Sequence, residues 1–489
     1  MQPVLTPAEM AEADRRTIAG GTAESVLVER AGAAVARHAL RMLGGAYGRR
    51  VVVVCGKGNN GADGGVAAHR LRARGVGVDE FALAGGIDEP EFHRALRRSH
   101  LAVDAMFGTG FRGALDGEGA EVARAFAAAS IPTLAVDIPS GIDGLTGEAR
   151  GAVVRARQTV TFAALKPGVL FEPGRSRAGR VHVVDIGIDV DSVPRRAQLY
   201  VLEVGDLVLP RRTPDGHKWS TAVFVIGGSP GMTGAPLLAG HAAARSGAGM
   251  VVCGVPGIAA ANRAGGSELV IRALPASSEG HLDTDAAAAV LDGVDRFRGI
   301  AIGPGLGRDQ ATQEAVRRIV AECPIPIVVD ADGLNALAHD PGALHARRAS
   351  GFAPAILTPH GGEFERLAGA PVGPDRVAAA RDLAARLESI VLLKGPGTVI
   401  ADPDGRAVVN RTDGPALAAA GTGDVLTGVI SGLLAGGASP FDAAATGAHV
   451  HGRAAVEAGT GDELTATDLI GALHPTLDIL RSGRDPREA

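Results

Sequence analysis

Residues with the strongest chemical signal lie near the C-terminus, where Gly421-Thr-Gly-Asp424 leads into an apolar helical run. Glycines before a helix let backbone N–H groups converge on an anion, and the helix N-terminus adds partial positive charge that favours phosphate. Asp424 has two interpretations. It is either an ordinary helix cap, or a general base that takes a proton from a hydroxyl as that hydroxyl meets the phosphate.

Polar or glycine-rich segments follow apolar strands at four other places in this half. These segments are Gly303-Pro-Gly-Leu-Gly307, Asp330-Ala-Asp-Gly-Leu-Asn335, Thr358-Pro-His-Gly-Gly-Glu363 and Lys394-Gly-Pro-Gly-Thr398. Because the carboxyl ends of parallel strands meet at one edge of a sheet, we expect the segments to surround the Gly421 loop. Lys394 can then supply charge to phosphates, while Asp330 and Glu363 can order magnesium through water.

A second group of polar residues lies in the N-terminal half. Arg50-Val-Val-Val-Val-Cys55 predicts a buried parallel strand, followed by a glycine-rich loop up to Gly65 and a helix from Val66 to Arg74. Within the loop, Asn59, Asn60 and Asp63 form either an Asx-rich turn or a site for ribose hydroxyls, amides or a cation. Strand ends at Asp104 and at Asp137 to Ser140 should share that site.

The surrounding sequence predicts the elements that position these residues. Thr6-Pro7-Ala8-Glu9 is a capping box with proline at the first helical position, so a helix should begin there and carry Met10 and Ala13 inward. Strands and helices alternate throughout, which predicts doubly wound α/β domains. A chain of 489 residues exceeds one ordinary core, and we place the boundary near Gly205, between domains of residues 1–205 and 206–489.

Composition excludes several classes of protein. Hydrophobic residues at 46% and charged residues at 21% describe a globular protein, and a net charge of -5 gives no basic field for nucleic acid. Without a transmembrane-length run or a signal segment, we expect a soluble, cytoplasmic protein that acts on a small molecule and not at a membrane. Cys55, Cys253 and Cys323 lie in or beside apolar runs, so we expect buried, reduced thiols.

The N-terminal motifs resemble the NAD(P)H-hydrate epimerase domain, which interconverts the R and S epimers of hydrated NADH or NADPH. The resemblance covers about residues 1–205 and rests on Asn59-Asn-Gly-Ala-Asp63, Asp104-Ala-Met-Phe-Gly-Thr-Gly110, Asp137-Ile-Pro-Ser-Gly141 and Phe162-Ala-Ala-Leu-Lys-Pro-Gly168. It implies a potassium ion held by Asn60, Asp104 and Ser140. The implied substrate contacts are Asn59, Asn60, Gly61, Ala62, Asp63, Gly108, Thr109, Gly110, Phe111, Arg112, Gly113, Ala114 and Asp137.

Asp137 is the candidate acid/base of this domain, because epimerisation requires proton transfer. Ala62 replaces the glycine usual in the family, which is tolerable unless that residue needs a positive φ. Domains of this fold also serve as non-catalytic binding modules in RNA-decay scaffolds. Retention of the Asp137 and Asn60 motifs favours an enzyme.

The C-terminal motifs resemble the ribokinase-like superfamily and, within it, the ADP-dependent NAD(P)H-hydrate dehydratases. The match extends from His217-Lys218 to Asp424. It implies that the ring hydroxyl of the S epimer is phosphorylated, that phosphate is eliminated, and that ADP, with Mg²⁺, becomes AMP. Implied substrate contacts are Ala235, Gly305, His360 and Asp424, and implied nucleotide contacts are Lys394, Gly395, Pro396, Gly397, Thr398 and Gly423. Trp219-Ser220-Thr221 and Thr412-Asp-Gly-Pro-Ala416 depart from the family pattern.

Together the resemblances predict a bifunctional repair enzyme with an N-terminal Rossmann-like and a C-terminal ribokinase-like domain, each a three-layer α/β/α structure. The first domain supplies the S epimer, and the second consumes it. The alternative is a ribokinase-like kinase of a small hydroxylated metabolite, fused to a non-catalytic binding domain. The resemblance also implies a homo-oligomer, with a tetramer favoured. The loop from Lys394 to Thr398 does not by itself distinguish ADP from ATP.

Overall fold

The computed structural model describes residues 1–193, 198–258, 268–338 and 340–483. The chain divides into two compact units, Gln2–Gln198 and Leu199–Ala489, with Met1 assigned to the second. This division precedes the boundary placed near Gly205 from the sequence, because Leu199–Val201 forms a strand that pairs with Ala407–Val409 in the second unit. A strand of three residues is too short to show periodicity.

The N-terminal unit is a parallel α/β sheet with helices on both faces. Its strands are β1 (Gln2–Val4), β2 (Arg50–Cys55), β3 (Gly77–Ala82), β4 (Leu101–Ala105), β5 (Ala114–Leu115), β6 (Thr133–Val136), β7 (Arg150–Gly151), β8 (Gln158–Phe162) and β9 (Arg180–Val184). Its helices are α1 (Pro7–Ala19), α2 (Glu24–Leu43), α3 (Asn59–Ala73), α4 (Glu89–Arg98), α5 (Gly117–Ala129) and α6 (Gly174–Ala178). The main sheet has the order β3-β2-β4-β6-β8-β9, and all its pairs are parallel.

The packing of strand β2 explains why its sequence is continuously apolar. Val51 and Val53 pack with α2 and α3 on one face of the sheet, whereas Val52 and Val54 pack with α4 and α5 on the other. All four side chains are fully buried. A parallel strand covered on both faces has no solvent-facing positions, so no polar residue alternates with the valines.

Helix α3 begins at Asn59, so the prediction of a loop up to Gly65 and a helix from Val66 was wrong. The glycines of this segment permit close packing inside a helix. A Cβ atom on Gly64 would lie 2.5 Å from the Cβ of Ala105, on the neighbouring strand β4. The side chains predicted to line a loop therefore project from the first turns of a helix.

Other local predictions near the N-terminus are confirmed. Thr6 and Glu9 form the predicted capping box of α1, and Met10 and Ala13 are buried. Ala62 lies within α3 and its φ is not positive. Alanine therefore replaces glycine at that position without backbone strain.

The C-terminal unit is a second, larger α/β sheet. Its strands are β10 (Leu199–Val201), β11 (Ala222–Ile226), β12 (Met250–Pro256), β13 (Val270–Leu274), β14 (Gly299–Ile302), β15 (Ile327–Val329), β16 (Ile356–Leu357), β17 (Ile390–Leu393), β18 (Val399–Ala401) and β19 (Ala407–Val409). Its helices are α7 (Ala235–Arg245), α8 (Ala286–Leu291), α9 (Gln310–Glu322), α10 (Asp332–Ala338), α11 (Gly342–Ala349), α12 (Gly361–Ala368), α13 (Arg376–Leu387), α14 (Thr422–Ala435), α15 (Pro440–Ala458) and α16 (Ala466–Arg481).

These strands have the order β10-β19-β18-β17-β16-β15-β14-β11-β12-β13. Strand β18 is antiparallel to both neighbours, and the other pairs are parallel. Helix α14, which follows the Gly421 loop, is buried at every residue from Val425 to Ala435. An apolar helix anchored in this way holds the loop at its N-terminus in a fixed place.

The predicted class of two α/β domains is confirmed. Among the described residues, no helix is both long and apolar enough to span a membrane. The three cysteines are free and buried, as expected.

Replacing Gly64 with alanine tests the packing of α3. The new methyl group would overlap Ala105, so Gly64→Ala should lower the free energy of unfolding of the N-terminal domain by about 1–3 kcal/mol. Gly65→Ala is the matched control, because its Cβ would lie 3.6 Å from Glu80 Oε1 and helix propensity favours alanine. Thermal unfolding of both variants measures the difference, and equal stability would contradict the close approach.

Candidate active sites

A cavity of about 650 Å³ lies at the carboxyl edge of the N-terminal sheet, walled by segments that follow β2, β4, β6 and β8. The structure brings together at this wall eight of the predicted residues: Asn59, Asn60, Asp63, Gly108, Thr109, Gly110, Phe111 and Asp137. The other predicted substrate contacts do not line it: Gly61, Ala62, Arg112, Gly113 and Ala114. The strand ends therefore converge as the sequence predicted.

Asp137 lies at the end of β6 in a left-handed conformation, with a φ of 67°. Such a backbone is strained for a residue other than glycine, and strain of this kind concentrates at functional sites. Its Oδ1 lies 2.7 Å from Lys166 Nζ and accepts a hydrogen bond from Thr161 Oγ1 at 2.9 Å, while Oδ2 accepts one from the Thr109 N–H at 3.1 Å. Burial opposes ionisation, but the Lys166 charge and these bonds outweigh it and hold the pKa of Asp137 below its usual range.

Lys166 is a site residue that was not assigned from the sequence. Only 1% of its surface is exposed, and Nζ also donates to Thr161 Oγ1 at 2.8 Å and to the Phe162 carbonyl at 2.9 Å. Lysine is almost never buried unless it is paired. The available signal was its position in the motif that begins at Phe162.

Two further carboxyl groups face the cavity, and the pKa of each is raised. Burial raises the pKa of Asp63 to about 8, and the charges of Asp137 and Asp14 add to the effect. Burial likewise raises the pKa of Asp14. At neutral pH the cavity therefore contains an ionised Asp137 and a protonated Asp63, one able to accept a proton and the other to donate one.

Asp104 and Ser140, two of the three predicted potassium ligands, are in direct contact. Asp104 is fully buried, with Oδ1 2.6 Å from Ser140 Oγ and Oδ2 2.8 Å from the Ser140 N–H. Burial raises the pKa of Asp104 to about 6, and no basic side chain contributes to its environment in the part of the chain that is described. Asn60 lies on the cavity wall, where a Cβ on Gly108 would be 3.2 Å from its Oδ1 and 3.1 Å from Asp137 Oδ2.

In the C-terminal domain, the polar cluster is built on Asp330 at the end of β15. Its Oδ1 accepts hydrogen bonds from Lys394 Nζ at 2.9 Å and from Thr358 Oγ1 at 2.7 Å, and its Oδ2 accepts one from Thr427 Oγ1 at 2.9 Å. Burial opposes ionisation, but Lys394 and these bonds hold the pKa of Asp330 below its usual range. Thr427 lies one turn into α14 and was not assigned from the sequence.

Lys394 also faces Glu363, with 3.8 Å between Nζ and Oε2. Burial opposes the charge on Lys394, but Asp330 and Glu363 raise its pKa above the usual value. The carboxylate of Glu363 also accepts the His360 N–H at 2.9 Å, as part of a capping box at the start of α12. Burial raises the pKa of Glu363. His360 itself is exposed.

Asp424 lies in the first turn of α14, after Gly421 with its φ of 83°. The N-cap of this helix is Gly421, so Asp424 lies in the first turn and does not occupy the cap position. Burial raises the pKa of Asp424 to about 7, with the charge of Asp330 adding to the shift and that of Lys394 opposing it. A carboxylate with a pKa near the working pH suits a general base.

Gly423 adjoins this cluster, and two of the predicted substrate contacts, Gly305 and Ala235, adjoin each other. A Cβ on Gly423 would lie 3.7 Å from Lys394 Nζ and 3.9 Å from Asp330 Oδ2, and one on Gly305 would lie 3.2 Å from the Cβ of Ala235. In the loop from Lys394 to Thr398, Gly395 and Gly397 have positive φ values of 135° and 71°. Glycine adopts these backbone conformations without the strain that a Cβ atom would introduce.

Other residues that the sequence did not identify support these loops. Asp413, in the segment that departs from the family pattern, accepts the Gly397 N–H at 2.5 Å, and Arg376 donates to the Lys394 carbonyl at 3.2 Å. The ring Nε2 of His451 lies 2.8 Å from the Thr422 carbonyl, at the start of α14. Burial lowers the pKa of His451 to about 4, so its imidazole is neutral at physiological pH.

Comparison with known families and proteins agrees with this geometry. The family described as NAD(P)H-hydrate dehydratase matches residues 223–474, and the family described as YjeF-related protein N-terminus matches residues 24–90 and 83–168. The chain is 40% identical to the bifunctional NAD(P)H-hydrate repair enzyme of Moorella thermoacetica, covering 93% of this chain and 92% of the relative. It is 38% identical to the same enzyme of Salinibacter ruber, covering 99% and 98%.

A solved structure of the ADP/ATP-dependent NAD(P)H-hydrate dehydratase of Bacillus subtilis, co-crystallised with ATP and Mg²⁺, is 30% identical. It covers 57% of this chain and 98% of that one, with a TM-score of 0.47.

The fold and the two sites are those of a two-domain α/β enzyme that joins an isomerase to a lyase. The chain belongs to the family of bifunctional NAD(P)H-hydrate repair enzymes.

Proposed function

We propose that Asp424 is the general base of the dehydratase domain. It takes the proton of the ring hydroxyl as the hydroxyl oxygen forms a bond to phosphorus, and the phosphate is then eliminated with a proton from the adjacent ring carbon. The observation that carries this assignment is the position of Asp424 beside the Lys394–Asp330 pair, with a pKa raised to about 7. Ala235, Gly305 and His360 are the proposed contacts of the hydrated ring.

The proposed phosphoryl donor is ADP, whose β-phosphoryl group meets the Gly423 N–H and the Lys394 ammonium while AMP leaves. Backbone N–H groups at a helix N-terminus favour phosphate, and the lysine adds a point charge. Magnesium would neutralise charge on the phosphates. Asp330 and Glu363 are the carboxylates proposed to order this ion through water.

Asp424→Asn should lower the rate of dehydration by about a hundredfold or more. The variant should remain folded, and its epimerase activity should be unchanged. The amide keeps the shape of the carboxylate and removes its basicity. In the parent enzyme, dehydration should accelerate as the pH rises through about 7, since the ionised form of Asp424 is required. NADH absorbance follows the reaction, and near-normal turnover by the variant would refute the assignment.

Supplying ADP and ATP separately identifies the donor. With ADP, we expect AMP to accumulate in step with restored NADH, as measured by chromatography. A faster reaction with ATP, giving ADP as product, would overturn the choice of donor and leave the dehydratase assignment intact.

In the N-terminal domain, we propose that Asp137 accepts and returns the proton during epimerisation. Its pairing with Lys166 at 2.7 Å keeps it ionised although it is buried. The wall residues Asn59, Asp63 and Thr109 are the proposed substrate contacts.

A potassium ion is the proposed partner of Asp104 in this domain. The fit rests on a buried carboxylate without a basic neighbour in the described chain, beside the Ser140 hydroxyl and with the Asn60 amide as the third proposed oxygen ligand. No group of three or more His, Cys, Asp or Glu side chains able to hold a metal occurs within the described ranges. An ion here would be held by one carboxylate, one hydroxyl and one amide oxygen, a set of ligands that suits a large hard cation.

Asp137→Ala should leave a mixture of epimers half repaired, because the S form is consumed while the R form converts only at its spontaneous rate. Lys166→Met should also slow epimerisation, by leaving Asp137 without its counter-charge, whereas Lys57→Met changes an exposed lysine of the same cavity and should have little effect. Dehydration of the pure S epimer should be unchanged in all three variants. Repair of both epimers by Asp137→Ala as fast as by the parent would contradict the role.

Asn60→Ala should raise the potassium concentration that gives half-maximal epimerase activity, with a smaller effect on thermal stability. The measurement is a titration with KCl at constant ionic strength. An unchanged potassium requirement would remove Asn60 from the ligand set.

We further propose that the protein acts in the cytoplasm as a homo-oligomer, with a tetramer favoured by the family resemblance. Light scattering tests the assembly, since one chain has a mass of 49.3 kDa. A measured mass of a single chain would contradict it.

A further inference from the structure

A second cavity of about 250 Å³ lies in the C-terminal domain, near the C-terminal end of α14. Gly432 and Gly436 form part of its wall. Because a helix rises about 1.5 Å per residue, Gly436 is roughly 18 Å from Asp424. This basic cavity is therefore separate from the catalytic cluster.

Four arginines, Arg211, Arg212, Arg245 and Arg481, line the basic cavity. Its wall consists of described residues, and none of them carries a carboxylate. Arg212 Nη2 donates to the Ala248 carbonyl at 2.6 Å. Arg481 Nη2 donates to the Pro210 carbonyl at 3.2 Å. Arg211 and Arg245 are exposed at the rim.

Two buried donors at the basic cavity have no hydrogen-bond partner among the described residues. They are the hydroxyl of Ser246, a residue only 3% exposed, and the Nε–H of Arg481. A buried polar group without a partner destabilises the folded protein. Burial and the charge of Arg211 lower the pKa of Arg481, and the charge of Asp478 opposes this shift. A negatively charged hydrogen-bond acceptor would give both donors a partner and would offset the positive charge of the arginines.

The partial negative charges of the neighbouring helix C-termini do not balance the positive charge of the four arginines. Helices α7, α14 and α16 end near the basic cavity, with C-caps at Ser246, Gly436 and Ser482. Each helix C-terminus carries about −0.5 of an elementary charge, so three supply about −1.5 against four guanidinium groups. The carboxylates of Glu268 and Asp478, which do not line the cavity, offset part of the charge of Arg245 and Arg481. A positive surplus remains.

We infer that the basic cavity binds an oxyanion of the phosphate class. Guanidinium groups donate paired hydrogen bonds that match phosphate oxygens. The volume is below the 300–1,000 Å³ or so of pockets for drug-sized ligands, so it holds a phosphate group and not a whole nucleotide. The phosphate is either free or the terminal group of a nucleotide that extends into solvent. The inference does not depend on the proposed roles of Asp424 or Asp137.

Equilibrium dialysis of the full chain against radiolabelled inorganic phosphate tests this site. The double variant Arg211→Gln/Arg245→Gln should bind one phosphate fewer per chain than the parent, or bind it at least tenfold more weakly. Ser246→Ala should weaken the same site several-fold. Arg296→Gln, which removes an exposed arginine outside the cavity, should match the parent within twofold. Dehydration without added phosphate should be unchanged in every variant.

AMP added as a competitor distinguishes the source of the phosphate group. Displacement of the extra phosphate by AMP would support the site with a nucleotide as ligand, and retention would support it with free phosphate as ligand. Equal numbers and affinities of bound phosphate in the parent and the double variant would overturn the inference. An equal loss in Arg296→Gln would also overturn it, because the binding would then reflect only net charge.

Discussion

Each domain depends on a lysine–aspartate pair at the carboxyl edge of its parallel sheet, and the aspartate of each pair is buried. The pairs are Lys166–Asp137, at 2.7 Å, and Lys394–Asp330, at 2.9 Å. An unpaired charge in such a place costs several kcal/mol, whereas an ion pair with further hydrogen bonds is tolerated. Near each pair lies a second carboxyl group, Asp63 or Asp424, whose pKa is raised by burial and by the charge of the paired aspartate. In the same buried surroundings, the paired aspartate therefore stays ionised, whereas the second carboxyl group has a raised pKa.

Packing behind each site fixes these groups in place. In the N-terminal domain, Gly64 lets α3 approach strand β4, so Asn60 and Asp63 enter the cavity from the first turns of a helix. In the C-terminal domain, the apolar α14 carries both Asp424 and Thr427, and the Thr427 hydroxyl bonds to Asp330 at 2.9 Å. Side chains held by buried elements keep their positions before substrate arrives, which is the condition for electrostatic catalysis.

Much of the fold and of both sites could be predicted from the sequence, because continuous apolar strands end in polar segments and parallel strand ends must meet. The start of α3 could not, since glycine suits a loop as well as a tightly packed helix. Lys166 and Thr427 were missed for a related reason. A lysine in a motif and a threonine in an apolar helix have no periodicity of their own, and only the tertiary structure shows which carboxylate each one contacts.

The central claim is that each domain contains its own complete site. Trans-complementation with the pure R epimer of hydrated NADH and ADP tests it most directly. The Asp137→Ala chain and the Asp424→Asn chain should each fail to restore NADH above the spontaneous rate, and an equimolar mixture of the two should restore it. A mixture no faster than either variant alone, with both variants folded, would contradict the account.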